Sequence, residues 1–271
     1  MKKETPYDGY DLIDAVHHHL SQKNYNHSVA RREAKKEIRF YPSSVGQCMR
    51  KNVYQMLGYI GRPEDGNDLL VLENGTYYHD RMEHIFKDMG ILISEELSLK
   101  DEDLAISGRS DAIIWDLDMK ESEEEDDVII LHDPKGKEVY KGPRDLVKII
   151  EFKSIKQERY NELKRTPKKH HVQQLQLYFY LTGIRKGAIY YENKNTQEQK
   201  MYDVAYDQAI VDQVLEEIRQ TVDFARRGEL PERPYLPTDI PCRYCRFRDI
   251  CHSNPNPFSY DELFGNIERP F

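Results

Sequence analysis

The segment Ile149-Ile150-Glu151-Phe152-Lys153-Ser154 sets a carboxylate and an ammonium two positions apart at the end of an apolar run. In a strand, side chains 151 and 153 leave from one face and Phe152 from the other, which predicts a charged pair beside an aromatic core residue. Buried charges require partners. Glu-x-Lys on a half-exposed strand is common and indicates nothing alone. Two further segments supply company. Gly108-Arg109-Ser110-Asp111 brings a second carboxylate to a turn leading into Ala112-Ile113-Ile114, and Gly75-Thr76-Tyr77-Tyr78-His79 brings an imidazole on a helix. Two carboxylates and an imidazole, completed by backbone carbonyls and water, suit a hard divalent ion such as magnesium or manganese. Such an ion neutralises charge at phosphorus and lowers the pKa of an attacking water, as phosphodiester hydrolysis requires. A lysine beside it could orient that water or stabilise developing charge. Taken singly, His79 reads equally as a helix-face histidine and Asp111 as a turn residue.

The second concentration of chemistry is Cys242-x2-Cys245-x5-Cys251, with Cys48 the remaining cysteine, far upstream. Structural zinc usually takes two close-spaced pairs of ligands; three clustered thiols plus one distant thiol suit a 4Fe-4S cluster better. Zinc, with His252 as a substitute ligand, is the minor alternative. Arg243, Arg246 and Arg248 interleave these cysteines together with Tyr244 and Phe247. They suit phosphate contact and base stacking, or equally the balancing of a thiolate cluster's charge.

The elements that must position these groups follow from periodicity. A polar helix is predicted over Asp8 to Arg39, where the run His17-His18-His19 reads as a solvated face. Pro42-Ser43-Ser44 reads as a cap for a helix starting near Val45, which puts Cys48 in or just past its first turn. A second helix is expected over Leu69 to Met89 with Asp68 as cap; on it His79 and Glu83 share a face. Strands follow at Ile91 to Leu99, Leu104 to Leu117, Val128 to Leu131 and Leu146 to Ile155, and Asp116 to Arg144 reads as a hairpin or insertion. Then come a helix over His170 to Leu181, a hairpin of Lys186 to Asn193 with Gln199 to Val204, and an amphipathic helix over Asp207 to Arg227. Pro231, Pro234, Pro237 and Pro241 oppose regular helix up to the cysteines. This order predicts one α/β domain with a cysteine-rich closing segment.

With 38% hydrophobic and 32% charged residues the composition is polar but foldable. The longest apolar runs are too short to cross a bilayer and the N-terminus lacks a signal-peptide core, so no membrane association and a cytoplasmic location are expected. In that compartment structural disulfides are disfavoured. A formal net charge of −8 opposes nonspecific coating of DNA but allows a local basic track, for which Lys156 to His171, with Lys168 and Lys169, is the candidate. Glu121 to Asp127 reads as a solvated acidic loop. No dinucleotide fingerprint or P-loop is present, so neither a flavin-type electron carrier nor a helicase motor is indicated.

Taken together, Gly-x-x-x-His (Gly75, His79), Gly-x-x-Asp (Gly108, Asp111), Glu-x-Lys (Glu151, Lys153) and Gln-x-x-x-Tyr (Gln174, Tyr178) resemble the RecB-like branch of the PD-(D/E)xK nucleases. With Cys48 and the distal cysteines added, the pattern is similar to the CRISPR-associated Cas-four nucleases, the AddB nuclease domain and related stand-alone exonucleases. The resemblance implies a central mixed sheet flanked by helices and closed by an iron-sulfur segment over residues 41–255; the helical extension at 1–40 and the acidic insertion at about 116–144 depart from the family and are not explained by its motifs, and residues 256–271 read as a tail. It implies that His79, Asp111, Glu151 and the Phe152 carbonyl bind magnesium or manganese, and that Lys153 is catalytic. Gln174 and Tyr178 would face the active site and DNA, and Cys48, Cys242, Cys245 and Cys251 would hold a structural 4Fe-4S cluster. The implied activity is a DNA exonuclease, 5′ to 3′ on single-stranded ends, with room for endonuclease action and for a helicase, recombinase or integrase partner or an oligomer. The competing expectation is a non-cleaving module that holds DNA ends for a partner.

Overall fold

A computed structural model of the 271-residue chain describes residues 6–35, 37–118 and 128–253. The C-terminal tail and the acidic run Glu121 to Asp127 lie outside the described residues.

Helix α1 (Leu12–Glu33) is capped by the Asp11 carboxylate, which accepts from the Ile13 and Asp14 amides; none of its side chains is buried. It is shorter at both ends than the expected Asp8 to Arg39. A 3-10 turn at Pro42–Ser44 precedes α2 (Met49–Met56), which starts later than Val45. Gly46 lies between them at φ +71°, a backbone conformation that stops a helix from running through. Helix α3 (Gly66–Asp88) is capped by Asp65 rather than Asp68. Its Tyr78, Met82 and Phe86 recur at helical spacing and are buried.

Five strands build the main sheet: β1 (Leu92–Asp101), β2 (Ile106–Trp115), β5 (Val147–Ile155), β6 (Lys186–Asn193) and β7 (Gln199–Ala205), side by side in that order. β5 and β6 run parallel and the other neighbours antiparallel, so the sheet is mixed. The insertion contributes β3 (Val128–His132) and β4 (Glu138–Pro143), a separate two-stranded hairpin. Between β5 and β6 the chain forms α4 (Gln157–Glu162), a short helix that the basic sequence around it conceals, and α5 (Lys169–Thr182). Parallel neighbours require such a crossover.

The two faces of the sheet are covered differently. Ala112, Ile114, Ile150, Phe152 and Ala188 point to α3 and pack with Tyr78, Met82 and Phe86. Ile113, Ile149, Ile189 and Tyr191 point the other way, to Leu175, Tyr178 and Phe179 of α5. Successive residues of β2, β5 and β6 are therefore buried on alternate sides, which explains their near-continuous apolar runs. The amphipathic α6 (Gln208–Arg227), capped by Asp207, packs Val211, Val214, Ile218 and Val222 into a third cluster with Val53, Tyr54 and Leu57 of the α2 region. Two short helices carry Cys242 and Cys251, with Cys245 in the connection between them: α7 (Ile240–Arg243), which tolerates Pro241 in its first turn, and α8 (Arg248–Ser253). No helix among the described residues is long and apolar enough to cross a membrane.

Candidate active site

Strands β2 and β5 are paired from Trp115↔Val147 to Ala112↔Ile150, and the pairing ends there. The next positions are Asp111 and Glu151. Where the strands part, the Phe152 amide has no strand partner, and it donates instead to Asp111 Oδ2 at 2.8 Å. The gap thus converts a backbone donor into an anchor for a carboxylate. Glu151 and Lys153 lie on the α5 side of the sheet and Phe152 on the α3 side, as the strand period requires.

α3 brings His79 to the same gap. Its Nδ1 is 3.5 Å from Asp111 Oδ1, its ring centroid is 5.7 Å from that of Phe152, and the Phe152 backbone hydrogen-bonds the imidazole. Glu151 is fully buried, and its Oε1 is bonded by Lys153 Nζ. Its Oε2 is buried with no hydrogen-bond partner.

These groups sit in a poor solvent for charge. Burial, then the nearby Asp111 carboxylate, pushes Glu151 up to about 7, and burial pushes Asp111 up to about 6 against the pull of Lys153. Burial lowers His79, which favours the neutral imidazole. Burial would lower Lys153 too, but Glu151 and Asp111 outweigh it and raise its pKa, so the side chain stays an ammonium. One ammonium thus faces two crowded carboxylates, one of them with an orphaned oxygen.

The donor set fits a divalent ion. His79, Asp111, Glu151 and the Phe152 carbonyl would hold it, and the unpartnered Oε2 is the atom that most needs it. Among the described residues no three His, Cys, Asp or Glu side chains stand as a ready-made metal shell. At this site the Lys153–Glu151 contact accounts for part of that, since the ammonium takes up one of the oxygens an ion would use.

Residues 139–252 match the PD-(D/E)XK nuclease superfamily. That span contains Glu151 and Lys153; Asp111 and His79 join them only through the fold. Among solved structures, that of SSO0001 has the same fold, with a TM-score of 0.51 at 18% identity over 87% of this chain and 95% of its own. The alkaline exonuclease LHK-Exo from Laribacter hongkongensis gives a TM-score of 0.47 at 11% identity over 72% of this chain and 92% of that one. Its complex with dAMP gives 0.47 at 12%, over 75% and 92%. No curated protein sequence matches the chain.

The other residues singled out from sequence are distributed around this candidate site. Gln174 and Tyr178 are buried, and the Gln174 amide donates to the Tyr178 hydroxyl at 3.0 Å. Burial first, and then Glu151 and Asp111, push the pKa of that hydroxyl well up. They back the site from α5 rather than presenting a surface to solvent. Lys168 is half-buried, with its amide on the Tyr191 hydroxyl, whereas Lys169 is exposed near Glu217. Arg243 is exposed and bonds the Thr238 carbonyl; Arg246 is half-buried, 3.5 Å from Glu64.

The fold brings Cys48 within electrostatic reach of the distal cysteines, without three of them standing as a metal-holding group among the described residues. Cys48, at the start of α2, is close enough to Cys245 and Cys251 to feel their charge, and Cys242 feels all three. All four are unbridged and half-buried, and Cys245 and Cys251 pack on the α2–α6 core. Burial, then mutual repulsion, raises the Cys48 and Cys242 thiols, although the Lys51 and Arg50 amides pull Cys48 the other way.

Two groups gain their place only from the structure. Spacing puts Glu83 on the His79 face of α3; the fold sets it among Glu96, Glu95 and Asp80, within reach of Asp111, where burial first and those carboxylates next push it up to about 7. His171 is held by the Tyr191 hydroxyl at 2.7 Å and pushed down to about 2 by burial and by Lys153, so it is neutral.

Proposed function

We propose that the chain is a divalent-metal-dependent deoxyribonuclease, an exonuclease acting 5′ to 3′ on single-stranded DNA ends. The observation that carries this is the convergence of His79, Asp111, Glu151 and Lys153 where β2 and β5 separate, with one Glu151 oxygen buried and unpartnered. The superfamily match over residues 139–252 supports it.

Magnesium or manganese, when bound, would polarise the scissile phosphate and acidify the attacking water. The chain's own residues do the rest. The Phe152 amide fixes the Asp111 carboxylate so that one oxygen stays turned to the gap. Neutral His79 offers a nitrogen without adding charge. Lys153, kept protonated by two carboxylates, cannot serve as a base; it orients water or steadies the negative charge that develops at phosphorus. The apolar wall of Phe152, Tyr78 and Phe86 limits water around the ion and strengthens each electrostatic contact.

The four cysteines hold a 4Fe-4S cluster in this reading, a structural clasp that ties the start of α2 to α7 and α8. The electrostatic coupling of Cys48 and Cys242 to Cys245 and Cys251 supports it. The test is digestion of 5′-labelled and 3′-labelled single-stranded and duplex DNA by anaerobically purified protein with manganese or magnesium, beside Lys153→Ala and an EDTA control. Cleavage abolished in both controls is expected, with product ladders giving polarity; an intact cluster with no cleavage of any substrate would leave a DNA-holding module.

A further inference from the structure

The nuclease motifs leave α1 without a role. It buries none of its side chains, yet it is held firmly in place: a Cβ on Gly66 at the start of α3 would come within 2.4 Å of the His17 Cα. Its end carries Arg31 and Arg32, followed by Lys35. These side chains line a cavity of about 760 Å³ together with Arg39, Lys51 and Arg246; Glu37 and Glu64 are the carboxylates on its wall. A second basin of about 760 Å³ shares Lys51, Glu64 and Arg246 with the first and adds Arg62, Lys156 and Tyr244, with Asp65 and Asp68 as its further carboxylates on the α3 side. The two make one groove between α1 and the cysteine segment. Its far wall is stitched in place, because the Arg62 amide donates to the Arg246 carbonyl at 2.9 Å.

We infer that this groove is the binding track for the phosphate backbone of single-stranded DNA, leading the strand to the site at His79, Asp111 and Glu151. The inference rests on the nuclease reading of that site. Arg31, Arg32, Lys35 and Lys51 have no carboxylate partner among the described residues, in a chain whose net charge is −8. The dipole of α1 accounts for Arg31 and Arg32 in its last turn. It does not account for Lys51 and Arg246, which other elements deliver to the same cavity. Burial and Arg39 push Lys35 down to about 8, a cost that a phosphate would remove.

The groove also points the right way. Val71 and Leu72 of α3 line the second basin, seven or eight residues before His79, which is about 10–12 Å along the helix. Lys156 lines it too, just beyond Lys153. Tyr244, 82% exposed at its rim, offers a face on which a base can stack. Duplex DNA has its bases already paired and stacked and leaves nothing for Tyr244 to take.

The test is binding of labelled oligo(dT) measured by fluorescence anisotropy in EDTA over a range of salt, so that no cleavage occurs. Arg31→Glu/Arg32→Glu/Lys35→Glu is compared with the wild type and with Lys135→Glu/Lys137→Glu/Lys141→Glu on the β3–β4 hairpin. The α1 variant is expected to bind at least about tenfold more weakly, with its salt slope reduced by about 2, since each phosphate left without its cation lowers the slope by roughly 0.7. The hairpin variant should stay within about twofold of the wild type. Circular dichroism verifies folding, and if the charge reversal unfolds the protein, the milder Gln triple at the same positions replaces it. Unchanged affinity and slope in the α1 variant, or an equal loss in the hairpin variant, overturns the proposal. Duplex of the same length binding as tightly as the single strand overturns the single-strand assignment. A wild type that binds in this manner but never cuts defeats the nuclease reading and leaves the groove; one that cuts while the α1 variant binds normally does the reverse.

Discussion

The Phe152 amide, two positions beyond the last paired residue of β5, donates at 2.8 Å to Oδ2 of Asp111, one position beyond the last paired residue of β2. This contact makes Asp111 part of the sheet's hydrogen bonding as well as of the proposed metal site, so the two roles can be separated by substitution. Asp111→Asn keeps an oxygen acceptor for the amide and removes the charge. We expect a folded protein, with thermal stability close to the wild type, whose cleavage falls by about 10²-fold or more. Unfolding on this substitution would show that the charge itself holds the strands.

Lys153→Ala removes the ammonium that faces Glu151. Cleavage is expected to fall by about 10²- to 10³-fold, while manganese still raises the melting temperature. Loss of that metal-induced shift would make Lys153 a determinant of the ion's binding rather than of the chemical step.

Glu151, raised from 4.5 to about 7, and Asp111, raised from 3.8 to about 6, hold protons in the folded state that the unfolded chain releases earlier. Their contribution to metal-free stability is therefore complete below about pH 4 and lost as pH rises through 6 to 7. An ion must displace those protons, so its affinity runs the opposite way. Manganese affinity by calorimetry should increase about tenfold per pH unit for each proton displaced between pH 5 and 6 and flatten above about 7, with protons released on binding. A pH-independent affinity would contradict this.

The two motif glycines behave oppositely. A Cβ on Gly108 would meet Pro42 Cδ at 2.5 Å, while one on Gly75 would meet nothing closer than Ser154 Oγ at 3.8 Å. Gly108→Ala should therefore lower stability in urea by about 1–3 kcal/mol through overpacking. Gly75→Ala, in the middle of α3, should raise it by about 0.4–1 kcal/mol. If Gly75→Ala then loses cleavage without losing stability, the glycine serves the approach of the substrate backbone.

Cys48→Ala should remove the brown colour that the proposed cluster would give the anaerobic protein and lower its melting temperature by many degrees, because binding energy of a structural centre is folding energy. Retained colour would remove Cys48 from the ligand set.

By itself the sequence determined the order and type of nearly every element, since burial on one helix face or on alternate strand sides leaves periods of 3.6 and 2 in the chain. It placed Glu151 and Lys153 on one face and Phe152 on the other, a relation that depends only on strand period. Capping blurred the boundaries: Asp65 outcompeted Asp68, and Gly46 at φ +71° delayed α2. The short α4 carried no readable period among its basic neighbours. What tertiary structure decided was everything that depends on distance between segments far apart in the chain. The parting of β2 from β5 created the gap that joins Asp111 to Glu151. Packing buried Gln174 and Tyr178 behind the site and brought Cys48 within electrostatic reach of the distal cysteines. It also turned α1, a polar helix with no buried face, into one wall of a basic groove. Side-chain period is a local property of the chain, whereas desolvation and charge coupling arise only when packing excludes water from groups that the sequence keeps apart.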